Sequence, residues 1–330
     1  MGFCVVPRVS SVEVLVEHFR LADEMGIEYG WLADQTFSPS AYSVLTLAAY
    51  LTKRIKLGTS VTNPYTRHPV IHATTGAVID ELSNGRFMLG IGAGDESSIK
   101  SLGLGYDKPV SMVRETVEAV RRLLRGEKVT CRGKALNISN VRLMFKPKRV
   151  FPIHVGARGP RMLRLAGEIG DGVLIDASNP VEAKIALTEI RKGLDKAGKK
   201  QEEIEITATV VFAVDEDSEK AREKIKWLVA LIAASALPEV LERHEIHPDF
   251  VKLLKVHLER KGLEGVSELV KNEMIDAFAL VGSPEECIAK IEEMTKTGVS
   301  HVALGIMDLA GADVRHQVKL VGEKILPHFK

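Results

Sequence analysis

Short apolar runs rich in Val, Ile and Leu alternate along this chain with longer segments whose apolar residues recur at helical period. That alternation is the pattern of βα units around a parallel sheet buried on both faces, where strands read as near-continuous hydrophobic runs. The strand candidates are Phe3 to Val6, Tyr29 to Asp34, Ile55 to Val61, Phe87 to Ala93, Pro152 to Ala157, Gly172 to Ala177, Ile204 to Val214 and His301 to Ile306. Each but the last leads into a helical segment, and a terminal helix from about Asp313 closes the set. Eight such units are most simply a (β/α)8 barrel, an α/β fold, since an open doubly wound sheet usually carries five or six parallel strands.

Local chemistry marks the helix ends. Ser11 to Gly26 opens on Ser and ends in Gly, and Ser283, Pro284 and Glu285 supply an N-cap, a proline at the first helical position and an acidic first turn. Two stretches break the repeat. Residues 128–145, KVTCRGKALNISNVRLMF, alternate at period two about an RGK turn. They predict a β-hairpin inserted after the fourth helix, with Met144 and the Leu and Val residues around it in the hairpin core. Residues 218–274 are helical and charged with breaks at Pro238 and Pro248, and they predict several helices over the barrel mouth. No Gly-, Ser- or Pro-rich linker divides the chain, so one domain with insertions is expected over residues 1–330.

Composition narrows the function classes. Charged residues make up 27% and hydrophobic ones 45%, ordinary for a protein with a sizeable core. Lys and Arg number 45 against 44 Asp and Glu, so no global field attracts nucleic acid or an anionic membrane. Cys4, Cys131 and Cys287 are odd in number and far apart, which fits a reducing compartment and predicts a cytoplasmic protein without a cysteine metal site. The start, MGFCVVPRV, lacks a cationic segment followed by a long apolar stretch, and Val6 stands where a myristoylation signal wants Ser or Thr. Neither export nor a membrane span is expected.

In a barrel the active site forms at the carboxyl ends of the strands. Asp34 and Gln35 follow strand two, Ser60 to Asn63 strand three, Gly94 and Asp95 strand four, Gly156 to Gly159 strand five, and Asp176 to Asn179 strand six. The segment after strand three, GTSVTNPYTRHPV at 58–70, carries far more polar chemistry than a turn needs. GIGAGD at 90–95 is no dinucleotide fingerprint, because Asp95 stands where the third glycine belongs and its charge opposes a pyrophosphate. GARGP at 156–160 could gather backbone N–H groups and a cation around a phosphate at a helix start, or be a plain βα turn with a surface arginine. His244 and His247 in RHEIHP lack the partners of a zinc motif and read as exposed helix-end residues. No GxSxG elbow marks a hydrolase.

Six ordered segments together resemble one family. They are NPYTRHP at 63–69, IDELSNGR at 79–86, GIGAGD at 90–95, GARGP at 156–160, DGVLIDASNP at 171–180 and DAFALVGSPEE at 276–286, with LERH at 241–244 between them. They look like the bacterial-luciferase-like superfamily and, within it, the coenzyme F420-dependent methylenetetrahydromethanopterin reductases, from about Phe3 to Pro327.

The resemblance implies a (β/α)8 barrel holding a deazaflavin at the strand ends, F420, with FMN as the alternative. It implies a non-proline cis peptide between Ser60 and Val61, forming a bulge behind the ring. Asp34, Ser60, Val61, Thr62 and Asn63 would touch the ring system, with Thr62 and Asn63 presenting polar groups to it. Gly156, Ala157, Arg158 and Gly159 would hold the phosphate end, with Asp176 nearby, and Asp95 and Glu242 would line the substrate side. Arg67 and His68 are expected in capping and neighbouring-loop contacts or in ligand contact.

The chain also departs from the reductases. Cys4 replaces a glutamate, Gln35 replaces the histidine of an Asp-His pair, and GIGAGD replaces GIGPGD. A thiol is uncharged at neutral pH and an amide cannot donate a proton as a general acid. The expectation is therefore hydride transfer to a C=N or C=O acceptor, best a pterin, by a homodimer or homotetramer. The alternatives are an FMN-dependent monooxygenase of the same barrel and a non-catalytic flavin-binding barrel.

Overall fold

The computed structural model describes residues 1–5, 11–306 and 312–330, without the side chains of residues 3–5, 312 and 313. Its strands are β1 Gly2–Val5, β2 Tyr29–Leu32, β3 Lys56–Thr59, β4 Phe87–Ile91, β5 Val129–Arg132, β6 Asn137–Val141, β7 Ile153–Ala157, β8 Gly172–Asp176, β9 Glu205–Val214, β10 Leu280–Gly282 and β11 His301–Ile306. Its helices up to the insertion are α1 Val12–Glu24, α2 Ala41–Leu51, α3 Pro69–Leu82, α4 Glu96–Ser101, α5 Pro109–Leu124, α6 Pro160–Ile169 and α7 Pro180–Ala197. They are followed by α8 Ser218–Ser235, α9 Pro238–Arg243, α10 Pro248–Lys261, α11 Asn272–Phe278, α12 Pro284–Thr295 and α13 Ala312–Leu320.

The sheet closes on itself. In parallel pairs, β1 joins β2, β2 joins β3, β3 joins β4, β4 joins β7, β7 joins β8, β8 joins β9, β9 joins β11 and β11 returns to β1. This is the expected eight-stranded barrel, with the helices outside it. All eight strand candidates fall on these strands: β7, β9 and β11 end where expected, while β2, β3, β4 and β8 stop one or two residues early where the chain turns into its loop; Val6 lies outside the described residues. One strand is additional: β10 pairs with Phe212–Val214 at the end of β9, beyond the residues that β8 and most of β11 occupy. A strand this short carries no periodicity of its own.

The expected caps are present. Ser11 Oγ accepts from the amide of Val14, and at α12 Ser283 Oγ accepts from the amide of Glu286, whose carboxylate accepts from the amide of Ser283 at 2.8 Å. That reciprocal pair satisfies two amide groups the helix itself leaves free.

Tyr29, Trp31, Met88, Leu174 and Ala303 fill the barrel interior, and a larger cluster including Phe19, Phe87, Phe151 and Val173 lies between strands and helices. Each such fully buried side chain contributes about 1.5–3 kcal/mol. Helices α8, α10 and α11 hold a core of their own around Ile225, Val229, Leu254 and Ile275, which meets the sheet through Ala213 and Val281. The hairpin β5–β6 is antiparallel as expected. Its core, however, is Val129, Leu136, Ile138 and Leu143, while Met144 is fully exposed. The correction has a local cause: β6 stops at Val141, so the alternation that runs on to Met144 no longer describes a strand. Among the described residues no helix is long and apolar enough to cross a membrane.

Candidate active site

The loops after β2, β3 and β4 meet at the carboxyl ends of the strands. Beyond Thr59 the chain changes neighbours: the amide of Ser60 still donates to Leu32 O of β2 at 2.8 Å, but that of Thr62 donates to Gly90 O of β4 at 2.9 Å. The amide of Gly92 then donates to Thr62 O at 2.9 Å. Between these anchors the Ser60–Val61 peptide bond is cis. Val61 packs on the Tyr29, Trp31, Met88 and Leu174 cluster, so it caps the barrel interior. Its methyls fit against Gly92 and Gly156, where a methyl on Gly156 would stand 2.6 Å from Val61 Cγ1. Partly buried, Val61 offers the mouth an apolar floor.

Beneath this floor lies a polar scaffold. The Thr62 hydroxyl donates to Asp34 Oδ2 at 2.7 Å, and Arg67 takes both Asp34 oxygens, Nη1 on Oδ2 and Nη2 on Oδ1, the latter at 3.1 Å. The Asp34 side chain is 3% exposed and that of Arg67 24%. Two charges this sheltered are tolerated because the fork geometry pairs them. The Arg67 guanidinium also stands 5.3 Å from the centre of the Tyr42 ring. Tyr42 Oη lies 2.7 Å from His72 Nδ1, and His72 Nε2 lies 3.2 Å from Asn63 O. A carbonyl can only accept, so Nε2 carries the proton and Tyr42 donates to Nδ1. Burial first, and then the Arg67 charge, push the His72 pKa down to about 4.

Several polar residues expected to face a ligand are engaged locally instead. Thr62 is fully buried, and Asn63 is nearly so, its Oδ1 accepting from the amides of Tyr65 and Thr66. His68 caps α3 by accepting from the amide of Val70. Asp95 caps α4, and hydrogen bonds from Ser98 and Ser97 hold its carboxyl below the usual range, so it is an anion at neutral pH. Gln35 Oε1 accepts from Ser38 Oγ at 3.2 Å. Cys4 stands on β1 in register with Trp31 and Gly305, its side chain outside the described set.

On the neighbouring strand, which pairs with β4, Gly156 and Ala157 end β7 and Gly159 caps α6. A methyl added to Gly159 would meet nothing within 4 Å, so this helix start faces open space. Arg158, 83% exposed, donates from Nε to Asp176 Oδ2 at the end of β8. Here a helix N-terminus and an exposed cation paired with Asp176 adjoin one another, and both favour an anion.

Glu242 is exposed on α9, a helix fixed to α7 by a two-bond pair between Arg243 and Glu182 and by His244 on the same carboxylate. His247 caps α10 by accepting from the amide of Asp249. Among the described residues no group of three or more His, Cys, Asp or Glu side chains could hold a metal ion.

Sequence reasoning placed the rim loops but missed Tyr42 and His72. Both lie in helices with no motif of their own, and only the contact of α2 with α3 unites them.

Residues 3–301 match the profile of the luciferase-like monooxygenase family. The chain is 39% identical to a 5,10-methylenetetrahydromethanopterin reductase of Archaeoglobus fulgidus, covering 100% of this chain and 99% of that protein. It is 36% identical to the reductase of the same name from Methanopyrus kandleri, over 94% of this chain and 93% of that one. The solved structure of the coenzyme F420-dependent tetrahydromethanopterin reductase from Methanopyrus kandleri matches with a TM-score of 0.94 at 34% identity, covering 100% of this chain and 99% of that one. A full-length likeness in both sequence and barrel leaves one assignment: this chain belongs to the luciferase-like monooxygenase family, alongside the 5,10-methylenetetrahydromethanopterin reductases.

Proposed function

We propose that this protein is an F420-dependent oxidoreductase that passes hydride between the reduced deazaflavin and a C=N or C=O acceptor, with 5,10-methylenetetrahydromethanopterin as the favoured acceptor. The observation that carries it is the pairing of two features at one mouth. Val61 makes an apolar floor over the barrel interior, and the start of α6 at Gly159 faces open space beside the exposed Arg158. A flat ring joined to a phosphate needs both.

When bound, the deazaflavin supplies a two-electron carrier whose hydride sits on one ring carbon. The protein's part is to bind, orient and exclude water. Val61 backs the ring from one side, leaving the other side to the acceptor. Gly156, Ala157 and Gly159 let the phosphate approach the amides at the start of α6, and Arg158 turns its charge toward it from its partner Asp176. Asp95, kept anionic by its cap bonds, and Glu242 line the acceptor side as fixed or approaching negative charges. Gln35, an amide where the reductases have a histidine, alters the acceptor side and not the seat of the ring.

Residues 1–330 work as a single barrel domain. The chain associates with itself through the outside of α2 and α3, where Leu47, Tyr50, Leu51, Ile71, Val78 and Leu82 leave an apolar face exposed. The free thiols of Cys131 and Cys287 fit a cytoplasmic setting.

Titration of the purified protein with F420, followed by the cofactor's fluorescence, tests the proposal. Micromolar binding and turnover of methylenetetrahydromethanopterin are expected. A protein that ignores F420, purifies yellow with FMN and consumes oxygen overturns it. Binding without turnover across a panel of imines and carbonyls overturns the catalytic part alone.

A further inference from the structure

Both oxygens of the Asp34 carboxylate are engaged within the protein. Its Oδ2 takes the Thr62 hydroxyl and Arg67 Nη1, and its Oδ1 takes Arg67 Nη2. Thr62 directly follows Val61, and its backbone is fixed to Gly90 and Gly92 of β4. On the other side of the bulge, Ser60 is fixed to Leu32, two residues before Asp34. The Asp34 side chain therefore ties the end of β2 to the far flank of the bulge, and Arg67 is the cation that lets this carboxylate stay charged where water barely reaches.

We infer that Arg67 is a positioning residue: by clamping Asp34 onto Thr62 it fixes where Val61 stands, and so sets the seat of the cofactor ring without touching the ring or the acceptor. This rests on the F420 reading above. It also gives Asp34 a part in holding the bulge, where the resemblance implied contact with the ring. Removing Arg67 leaves a buried carboxylate without its cation, so the Asp34 side chain is no longer held in place and Thr62 loses its acceptor geometry.

A fitting control lies at the other end of α3. Arg149 holds Asp80 in the same manner, from Nε and Nη2, on a carboxylate whose side chain is 5% exposed, far from the rim loops. A purely structural ion pair should behave as this one does.

The test compares wild type, Arg67→Gln, Asp34→Asn, the double variant and Arg149→Gln. F420 dissociation constants are measured over pH 5 to 8, with kcat and KM for the acceptor and thermal midpoints of the cofactor-free proteins. Each single rim variant should weaken F420 binding at least tenfold. The double variant should be no worse than the poorer single one, because both changes break one clamp. Arg149→Gln should lower the thermal midpoint and leave binding within twofold.

If Arg67→Gln binds F420 within twofold of wild type while melting lower, the clamp is only structural and the inference fails. If the losses multiply in the double variant, Arg67 meets the ligand directly and the inference fails in another way. If wild type itself binds no F420, the functional reading falls separately. The clamp is then judged on cofactor-free midpoints, where additive losses from Arg67→Gln and Asp34→Asn overturn it.

Discussion

Thr59 and Gly90 face each other across β3 and β4, with a side chain standing in for the sheet ladder: the Thr59 hydroxyl donates to Gly90 O at 2.7 Å and accepts from Gly90 N at 3.0 Å. Backbone pairing of the two strands ends at Gly58 and Met88 and resumes at Thr62. The hydroxyl thus satisfies the Gly90 amide, which the bulge would otherwise leave buried and unmatched, and shares the Gly90 carbonyl with the amide of Thr62.

Thr59→Val, equal in shape but without the hydroxyl, should cost about 1–3 kcal/mol, since the buried Gly90 amide loses its acceptor while the carbonyl keeps only the Thr62 amide. Gly90→Ala should cost at least about 3 kcal/mol or prevent folding. Its methyl would stand 1.8 Å from Thr59 O, and a backbone atom cannot step aside. Urea midpoints measure both. A Gly90→Ala protein as stable as wild type would show that the two strands are not this close.

Two glycines of one segment should separate the floor from the anion seat. Gly156→Ala brings a methyl to 2.6 Å from Val61 Cγ1, so the floor must shift. Thermal midpoint and F420 affinity should fall together, the latter by tenfold or more. Gly159→Ala has open space and an ordinary extended backbone, so its midpoint should stay within a degree or two while affinity drops as the methyl fills the cradle. Calorimetry with F420 and with its fragment lacking the phosphate distinguishes them. Gly159→Ala should weaken only the phosphate-bearing ligand.

The α2–α3 face makes association testable. Tyr50 is 77% exposed, and Leu47, Ile71 and Val78 continue its apolar surface onto the neighbouring helix. A stable interface takes about 800 Å² from each partner, which two adjacent helices can supply. Sedimentation of wild type should give a dimer or larger species, and Tyr50→Glu with Val78→Glu should give monomers. A monomeric wild type at micromolar concentration refutes self-association through this face.

How far the sequence could be read depended on how local the cause was. The capping box at Ser283 and Glu286 is written within four residues, and the barrel strands announce themselves because burial on both faces demands unbroken apolar runs. The β10 strand was missed because its only support is Phe212–Val214, distant in sequence. Met144 misled for the opposite reason: its alternation is genuine but outlasts the strand. At the strand ends, polar type did not show which partner each side chain takes. Asn63 and Asp95 have ligand-like chemistry, yet both close turns of their own segment. The partner of Arg67 lies 33 residues away on another loop, and nothing within NPYTRHP names it.

Three buried imidazoles should make the fold sensitive to mild acid. His72 is pushed down to about 4, while His154 and His301 are lowered chiefly by burial. His154 Nδ1 and His301 Nε2 have no hydrogen-bond partner, each lying against a glycine, Gly172 and Gly2. An imidazole whose folded pKa lies below its unfolded value of about 6.5 leaves stability unchanged above that pH. As pH falls below it, the unfolded chain takes protons that the folded one refuses, so stability declines until the folded pKa is passed. For His72 the window runs from about 6.5 to about 4 and is worth roughly 3 kcal/mol. The Tyr42 hydroxyl reinforces it, because Nδ1 must stay unprotonated to accept that bond. Urea midpoints should therefore coincide at pH 8 and pH 7 and fall steadily by pH 5. His72→Gln, less stable at pH 8, should show a shallower fall over the same range. A wild-type profile that stays flat to pH 5 would mean that these rings are already charged or reached by water in the folded protein.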